Sequence, residues 1–213
     1  MQHLADLRKD YLKASLDVAS VSANPIEQFE IWFKEALKSE VLEPNAMTLS
    51  TVNVEGKPSA RIVLLKGVEN SRFLFFTNYQ SDKGKDLEHN PSCALTFFWP
   101  ELERQVRIEG IAARVDASRS EAYFQSRPRG SQIGAWASPQ STIIENREIL
   151  EQRVAQLEER FKDKSVLPKP QQWGGYEVEP LLIEFWQGRP SRLHDRIQFR
   201  RIENEWKCHR LAP

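Results

Sequence analysis

Met47-Thr48-Leu49-Ser50-Thr51-Val52 alternates apolar with hydroxyl side chains, the period of a strand that buries one face. The same period continues outward. Ser59 to Lys66, Arg72 to Thr77, Cys93 to Trp99 and Leu102 to Val115 read as further strands. Gly56-Lys57-Pro58, Glu69-Asn70-Ser71 and Pro100-Glu101 supply the turns between them. Strands in series with short connections predict an antiparallel sheet or barrel, not repeated strand–helix–strand units.

Helices flank this block. Asn24-Pro25-Ile26-Glu27 is a helix start, with Asn as cap and Pro in the first turn, and Ile26, Phe29, Phe33 and Leu37 form its apolar stripe. Ser81 caps a short helix to His89, which Pro91 stops. One helix is expected from Arg119 to Ser126. Another is expected with Thr142 as cap, Glu145 in the capping box, and Leu150, Val154, Leu157 and Phe161 as its stripe. Pro168-Lys169-Pro170 and Trp173-Gly174-Gly175 read as a linker-like break, and strands at Leu181–Gln187, Arg192–Arg201 and Glu205–Leu211 close the chain. The expected class is mainly β with flanking helices (α+β). Residues 1–23 form a polar arm, expected to be mobile when alone, and residues 24–213 one domain.

Net charge is zero across 213 residues, so no whole-molecule field draws in nucleic acid or an anionic membrane. Any anion site must be a local cluster of Lys and Arg. Cys93 and Cys208 belong to no C-x-x-C or metal-type spacing, which predicts two free thiols in a reducing compartment. The four histidines lack paired metal-ligand spacing, so no metal site is expected. Met1 to Leu12 lacks the apolar core of a secretory signal, and the apolar run Ala94–Trp99 is too short to cross a bilayer. The expected location is the cytoplasm.

Four basic clusters stand out. In Arg192-Leu193-His194-Asp195-Arg196, a strand would put Arg192, His194 and Arg196 in one row. Like charges in a row repel unless something negative lies across them, and Arg suits phosphate and flat electron-poor rings. A charged, solvent-facing edge strand explains the same pentapeptide. In Arg61-Ile62-Val63-Leu64-Leu65-Lys66 two cations bracket an apolar strand, either as snorkelling ends or as phosphate ligands. Their odd separation places them on opposite faces, so a shared site needs a twist or bulge. Ser81-Asp82-Lys83-Gly84-Lys85 offers a helix-start anion site or simply a cap. Tyr123 and Arg127 share a helix face, and beyond Pro128 Ser131 approaches from a loop. No glycine-rich phosphate loop is present, so any phosphate must be held by side chains.

Taken in order along nearly the whole chain, these segments resemble the pyridoxine (pyridoxamine) 5′-phosphate oxidases. The matching stretches are R-I-V-L-L-K at 61–66, F-F-T-N at 75–78, E-R-Q-V-R-I-E-G at 103–110, Y-F-x-S-R-P-R at 123–129 and S-Q-I-G-A-W at 131–136. W-G-G-Y at 173–176, E-F-W-Q-G at 184–188, R-L-H-D-R at 192–196 and R-L-A-P at 210–213 complete the series. The resemblance implies an FMN-binding split β-barrel and a homodimer with FMN sites between subunits. It implies FMN-dependent oxidation of pyridoxine and pyridoxamine 5′-phosphates to pyridoxal 5′-phosphate, with dioxygen as acceptor and hydrogen peroxide as by-product.

By the same resemblance Arg61 and Lys83 hold the FMN phosphate, and Ile62, Val63, Leu64, Leu65 and Lys66 run along the flavin. Phe76, Thr77, Gln105, Trp186 and Arg196 line the cofactor, with Gln140 and Ser141 expected from the partner. Lys66, Tyr123, Arg127 and Ser131 would bind the substrate phosphate, Arg192 and His194 would sit over the substrate ring as catalytic residues, and Arg8 and Tyr11 would fold over the occupied site. One departure is Asp82, where relatives commonly carry Arg; Lys85 is a candidate to compensate. Two other readings share the scaffold: a split-barrel flavin reductase with a nicotinamide or deazaflavin donor, and a non-catalytic carrier of B6 phosphates.

Overall fold

The computed structural model describes residues 10–213. Nine strands form one antiparallel sheet: β1 (Ala46–Val52), β2 (Pro58–Leu64), β3 (Gly67–Glu69), β4 (Arg72–Asn78), β5 (Ser92–Trp99), β6 (Arg104–Arg114), β7 (Trp173–Gln187), β8 (Asp195–Ile202) and β9 (Glu205–Leu211). Their order is β2-β1-β5-β6-β7-β4-β3, with the β8–β9 hairpin also on β7. The sheet curls, because past the end of β2 the Lys66 N–H reaches the Leu74 carbonyl of β4 at 2.8 Å. This is the curled sheet of a split barrel.

β7 is the spine of the molecule. Its first stretch, residues 173–178, pairs with β4, and its last, residues 182–187, pairs with β8. A register shift at Glu109/Gly110 of β6 lies opposite Pro180, which has no N–H to give the ladder. Gly110 is required there, since a Cβ would stand 2.3 Å from the Glu179 carbonyl oxygen.

Five helices attach: α1 (Pro25–Lys38), α2 (Asp82–His89), α3 (Ala117–Ser126), α4 (Arg129–Ala137) and α5 (Glu148–Arg160). Asn24 Oδ1 accepts from the Ile26 N–H and Ser81 Oγ from the Gly84 N–H, as the sequence predicts. α1 plugs the barrel: Phe29 packs edge-on against Phe73, and Trp32 against Phe185. Trp32 and Ala36 take the buried place expected of Leu37, which is exposed. A smaller core under α3–α5 joins Phe124, Ile133, Phe161, Leu167 and Trp173.

Several local expectations are corrected. Thr142 caps nothing: its N–H bonds Pro139 O in a turn, Ser141 has φ of 69°, and Asn146 Oδ1 accepts from Ile149 N–H where α5 begins. Ser131 lies in α4 rather than a loop. Trp173-Gly174-Gly175 opens β7 rather than breaking the chain. The last long strand starts at Asp195, not Arg192. Ser191 and Arg192 have φ of 56° and 61°, left-handed values that end any strand. Arg192 and His194 are therefore carried by a turn, and the strand row with Arg196 does not exist.

Of the arm expected over residues 1–23, residues 1–9 lie outside the described residues, and Arg8 with them. From Lys13 the segment is tied down. Lys13 N–H bonds Glu103, Leu16 N–H bonds Asp195, and the Leu16 side chain is buried. Cys93 and Cys208 are not bonded to each other, and burial pushes the Cys93 thiol up to about 12. No helix among the described residues is long and apolar enough to cross a membrane.

Candidate active site

A cavity of about 810 Å³ opens where β2, β4, α2, α3 and α4 meet. β2 contributes Arg61, Ile62, Val63 and Leu64, and Lys66 follows just beyond it. The odd spacing of Arg61 and Lys66 is resolved by a break: β2 ends at Leu64, and Leu65 turns inward, its N–H on Asn45 O. Lys66 then bonds β4 instead of β1, which frees its side chain to face the cavity. Leu65 itself is buried behind the wall.

One cationic group is Arg61 with Lys83. Arg61 is steered by Thr51 Oγ1 at 2.6 Å and Ser59 Oγ at 2.7 Å, and Asp86 lies 3.9 Å away. Lys83, in the first turn of α2, donates to Gln140 Oε1 at 3.0 Å and to Ser81 Oγ at 3.3 Å. Burial and then the Arg61 charge hold its ammonium below the usual lysine range. Thr77 Oγ1 also reaches Gln140, and Ser141 Oγ accepts from the Asp82 N–H. Gln140 and Ser141, expected from a partner, are thus already placed beside Lys83 in the same chain. The Asp82 side chain is exposed at the helix start, and Lys85 is exposed and away from the cavity wall.

The second group is Arg127, at the C-terminal end of α3. Its guanidinium lies 4.8 Å from the Trp173 ring centre, and its buried Nη1 has no hydrogen-bond partner among the described residues. Burial lowers its pKa from the ordinary arginine value. Three rings form the shelf beside it. Phe76 stacks on Tyr123 at 3.9 Å and on Trp173 at 5.3 Å, with planes 20° and 11° apart. Ser131 of α4 completes this end. The wall also includes Asn78, Pro128, Gly134, Ala135, Ser138 and Trp173, which the sequence reading did not select. Trp173 stood in a quoted motif, but its Gly-Gly neighbours made it look like a loop residue.

The remaining expected residues lie elsewhere. Gln105 and Trp186 are cross-strand partners on β6 and β7, and Trp186 pairs with Arg196 of β8. Around them Tyr11, Trp186 and His194 form an aromatic cluster, with ring centres 4.7–5.8 Å apart. Arg196 is not a free cation: Nε and Nη2 bond the buried Glu184 at 2.9 and 3.1 Å, and Nη1 bonds Ala212 O. Arg192 is exposed on its turn.

The distance between the two groups follows from β7. Trp173 lines the cavity and Trp186 belongs to the second cluster, thirteen residues along one unbroken strand. At about 3.3 Å per residue that is roughly 40 Å along the strand. Curling shortens the straight line, but no strand doubles back without a turn. Along β7 the two clusters of one chain therefore stand far apart.

Comparisons with known proteins agree with this architecture. Residues 33–161 match the family described as pyridoxamine 5′-phosphate oxidase, and residues 173–213 match the pyridoxine 5′-phosphate oxidase C-terminal dimerisation region. A pyridoxine/pyridoxamine 5′-phosphate oxidase of Cyanothece sp. is 56% identical over 99% of this chain and 98% of its own. One of Burkholderia thailandensis is 56% identical over the full length of both. Among solved structures, PhzG from Burkholderia lata, in complex with tetrahydrophenazine-1-carboxylic acid, superposes with a TM-score of 0.86 at 29% identity, covering 94% of this chain and all of that one. A pyridoxamine 5′-phosphate oxidase-related, FMN binding protein from Nostoc punctiforme shares the fold, with a TM-score of 0.70 at 17% identity over 91% of this chain and all of its own.

Proposed function

This chain belongs to the pyridoxamine 5′-phosphate oxidase family, and from that membership we propose that it oxidises pyridoxine 5′-phosphate and pyridoxamine 5′-phosphate to pyridoxal 5′-phosphate. It is an oxidoreductase and FMN is its cofactor. The observation that carries the substrate class is Arg127: a half-buried guanidinium whose buried Nη1 has no partner among the described residues, on the wall of a cavity that holds a separate cationic pair. Unpaired buried charge is costly, and a phosphate at each group relieves it.

The residues present fit FMN. Arg61 and Lys83 repel each other, and the carboxylate beside Arg61, Asp86 at 3.9 Å, is already bonded by the Thr51 hydroxyl, so a phosphate between the two cations removes the repulsion. Ile62, Val63, Leu64 and Phe76 offer an apolar wall to a flat ring, with Thr77 and Gln140 as polar edges. FMN supplies the two-electron redox chemistry when bound, with dioxygen as final acceptor and hydrogen peroxide as by-product.

The chain's own groups hold and orient the substrate. Lys66, Tyr123, Arg127 and Ser131 take its phosphate, and the Phe76–Tyr123–Trp173 shelf keeps water from that side. Gln105, Trp186, Arg192, His194 and Arg196 come from the second copy of a homodimer, so each site lies between subunits. Two facts support this: the roughly 40 Å of β7 between the clusters, and the match of residues 173–213 to a dimerisation region. Arg192 then clamps the substrate and His194 bonds its C4′ substituent, holding it in register for transfer. Tyr11 closes over this side, beside Trp186 and His194.

The test is direct. Purified protein is expected to be yellow and to bleach anaerobically when pyridoxine 5′-phosphate is added. Colourless protein that binds the vitamer supports a carrier instead. Yellow protein that bleaches only with a reduced nicotinamide or deazaflavin supports a reductase.

A further inference from the structure

We propose that the backbone of Arg189 fixes His194 as a hydrogen-bond donor through Nε2–H, so that His194 orients the C4′ substituent of the substrate and takes no proton from it. This rests on the oxidase reading above for the identity of the substrate, but the state of the imidazole stands on geometry alone. The Arg189 N–H points at His194 Nδ1 across 3.1 Å. A backbone amide has only a proton to offer, so Nδ1 must present its lone pair. A neutral imidazole has one such nitrogen and one N–H. The proton therefore sits on Nε2, and the ring has no spare lone pair for the substrate.

The amide is held in place from several directions. Gly188 N–H bonds Glu103 O at 2.8 Å. The Arg189 side chain donates to Ala14 O at 3.1 Å, and its Nε lies 3.4 Å from Asp195. Gly188 can carry no side chain, because a Cβ would stand 2.6 Å from the Tyr11 ring. Tyr11 thus lies against this backbone and also meets the imidazole edge-on, while the Trp186 ring stands on another side at 4.7 Å. Flipping the imidazole would put a carbon against the amide and lose the bond. Arg189 is in this sense a positioning residue, tying the arm at Ala14 to the ring at His194.

The charges around His194 point the same way. The only cation facing it among the described residues is Arg192, and together burial and Arg192 hold it below the usual histidine range. The adjacent acid, Asp195, is occupied: Arg210 takes Oδ1 at 2.8 Å, and Leu16 N–H takes Oδ2 at 3.0 Å. Among the described residues no acid acts on the ring to favour an imidazolium. A donor at Nε2 bonds an alcohol oxygen or the lone pair of a neutral amine, and it repels an ammonium. The site thereby selects pyridoxamine phosphate as its free amine, which loses a hydride to leave an iminium and gives up no proton, whereas the hydroxyl proton of pyridoxine phosphate leaves to water.

The experiment is ¹⁵N NMR of the holoenzyme and of the flavin-free protein labelled at histidine, with His194→Gln to identify the ring. At pH 7 the His194 signals are expected to show the neutral Nε2–H tautomer. A ring protonated at Nδ1, or doubly protonated, at that pH overturns the proposal. Kinetics give the second reading, since a Gln amide nitrogen overlays Nε2. His194→Gln is expected to keep turnover within about tenfold of the parent, with a parallel rate profile from about pH 6 to 9, whereas His194→Ala falls about a hundredfold or more. Gln falling as far as Ala, or losing the pH dependence, overturns it. Failure of the oxidase reading shows separately, as parent protein that does not bleach with the phosphorylated vitamer.

Discussion

The two clusters of candidate residues are built differently. The cavity cluster stands on regular elements: the end of β2, β4, and the capped starts or ends of α2, α3 and α4. Its cations are short of acids, with Asp86 3.9 Å from Arg61 and Arg127 left with a buried, unbonded Nη1. The β7–β8 cluster stands on a left-handed turn and the arm, and apart from the exposed Arg192 its cations are matched. Arg196 holds Glu184, while Arg189 and Arg210 share Asp195. The first is pre-formed and electrostatically unsatisfied, and so it can bind anions. The second is neutralised and shaped, which suits closing over a ring and holding its reacting substituent. On the proposed reading a complete site takes one of each, from two copies related by a twofold axis.

Mixing subunits breaks or confirms this division most sharply. Arg192→Ala and His194→Ala are each expected to keep their flavin absorbance and lose about 10²–10⁴ in turnover. Arg127→Ala disables the other cluster. If His194→Ala and Arg127→Ala proteins are unfolded together and refolded as a mixture, half of the dimers carry one variant of each kind. Each such dimer has one site with both clusters intact, so activity at low substrate recovers to roughly a quarter of the parent. Recovery absent from a mixture whose heterodimers are seen by native mass spectrometry places both clusters in one chain and refutes the shared site.

How much of this was legible beforehand depended on whether a local signal decided the structure. The alternation in β1 and β5 and the Asn24 and Ser81 caps are local rules, and the structure follows them. Trp173-Gly174-Gly175 fails the rule for a tertiary reason. A Cβ on Gly174 would lie 2.1 Å from the Tyr79 hydroxyl, and one on Gly175 would lie 2.7 Å from a Val115 methyl. The glycines are there for close packing on a strand, not to break one. The turn at Pro190–Arg192 hid behind a charge alternation that mimics a strand. α4 hid because Gly130 and Gly134 depress its helix propensity. At the site, residue identity was readable from motif resemblance. The proposed allocation between copies was not, since it rests on the length of β7, and Trp173-Gly174-Gly175 at its start reads as a break.

Arg127→Leu sharpens the electrostatic side of the comparison. Removing a charged hydrogen-bond donor costs about 1.5–3 kcal/mol, or a rise of about ten- to a hundredfold in KM for the phosphorylated vitamer. Turnover at saturation is expected to change far less, because on the proposed reading Arg127 holds the substrate phosphate and the turn residues face the reacting carbon. Flavin absorbance and thermal stability serve as controls, since Arg127 also lies over Trp173. A fall in turnover with unchanged KM moves Arg127 to the chemistry and undoes the assignment.

The smallest effect is expected at Asp82. An anion where the family resemblance implies a cation suggests weaker flavin binding, yet the structure limits how much. The Asp82 side chain is exposed, and its N–H rather than its carboxylate meets Ser141. Lys83 does feel it, but burial and Arg61 act on that ammonium more strongly. Exposed charges interact through water and salt, and such pairs are worth roughly 0–1 kcal/mol. Asp82→Arg is therefore expected to tighten FMN by no more than about fivefold at physiological ionic strength. Titration of the flavin-free protein, followed by quenching of flavin fluorescence, measures this, and the gain should shrink as salt is raised. A gain of a hundredfold that resists salt means that residue 82 turns inward to the phosphate in the loaded dimer. The cavity cluster would then be reshaped by its ligand rather than pre-formed.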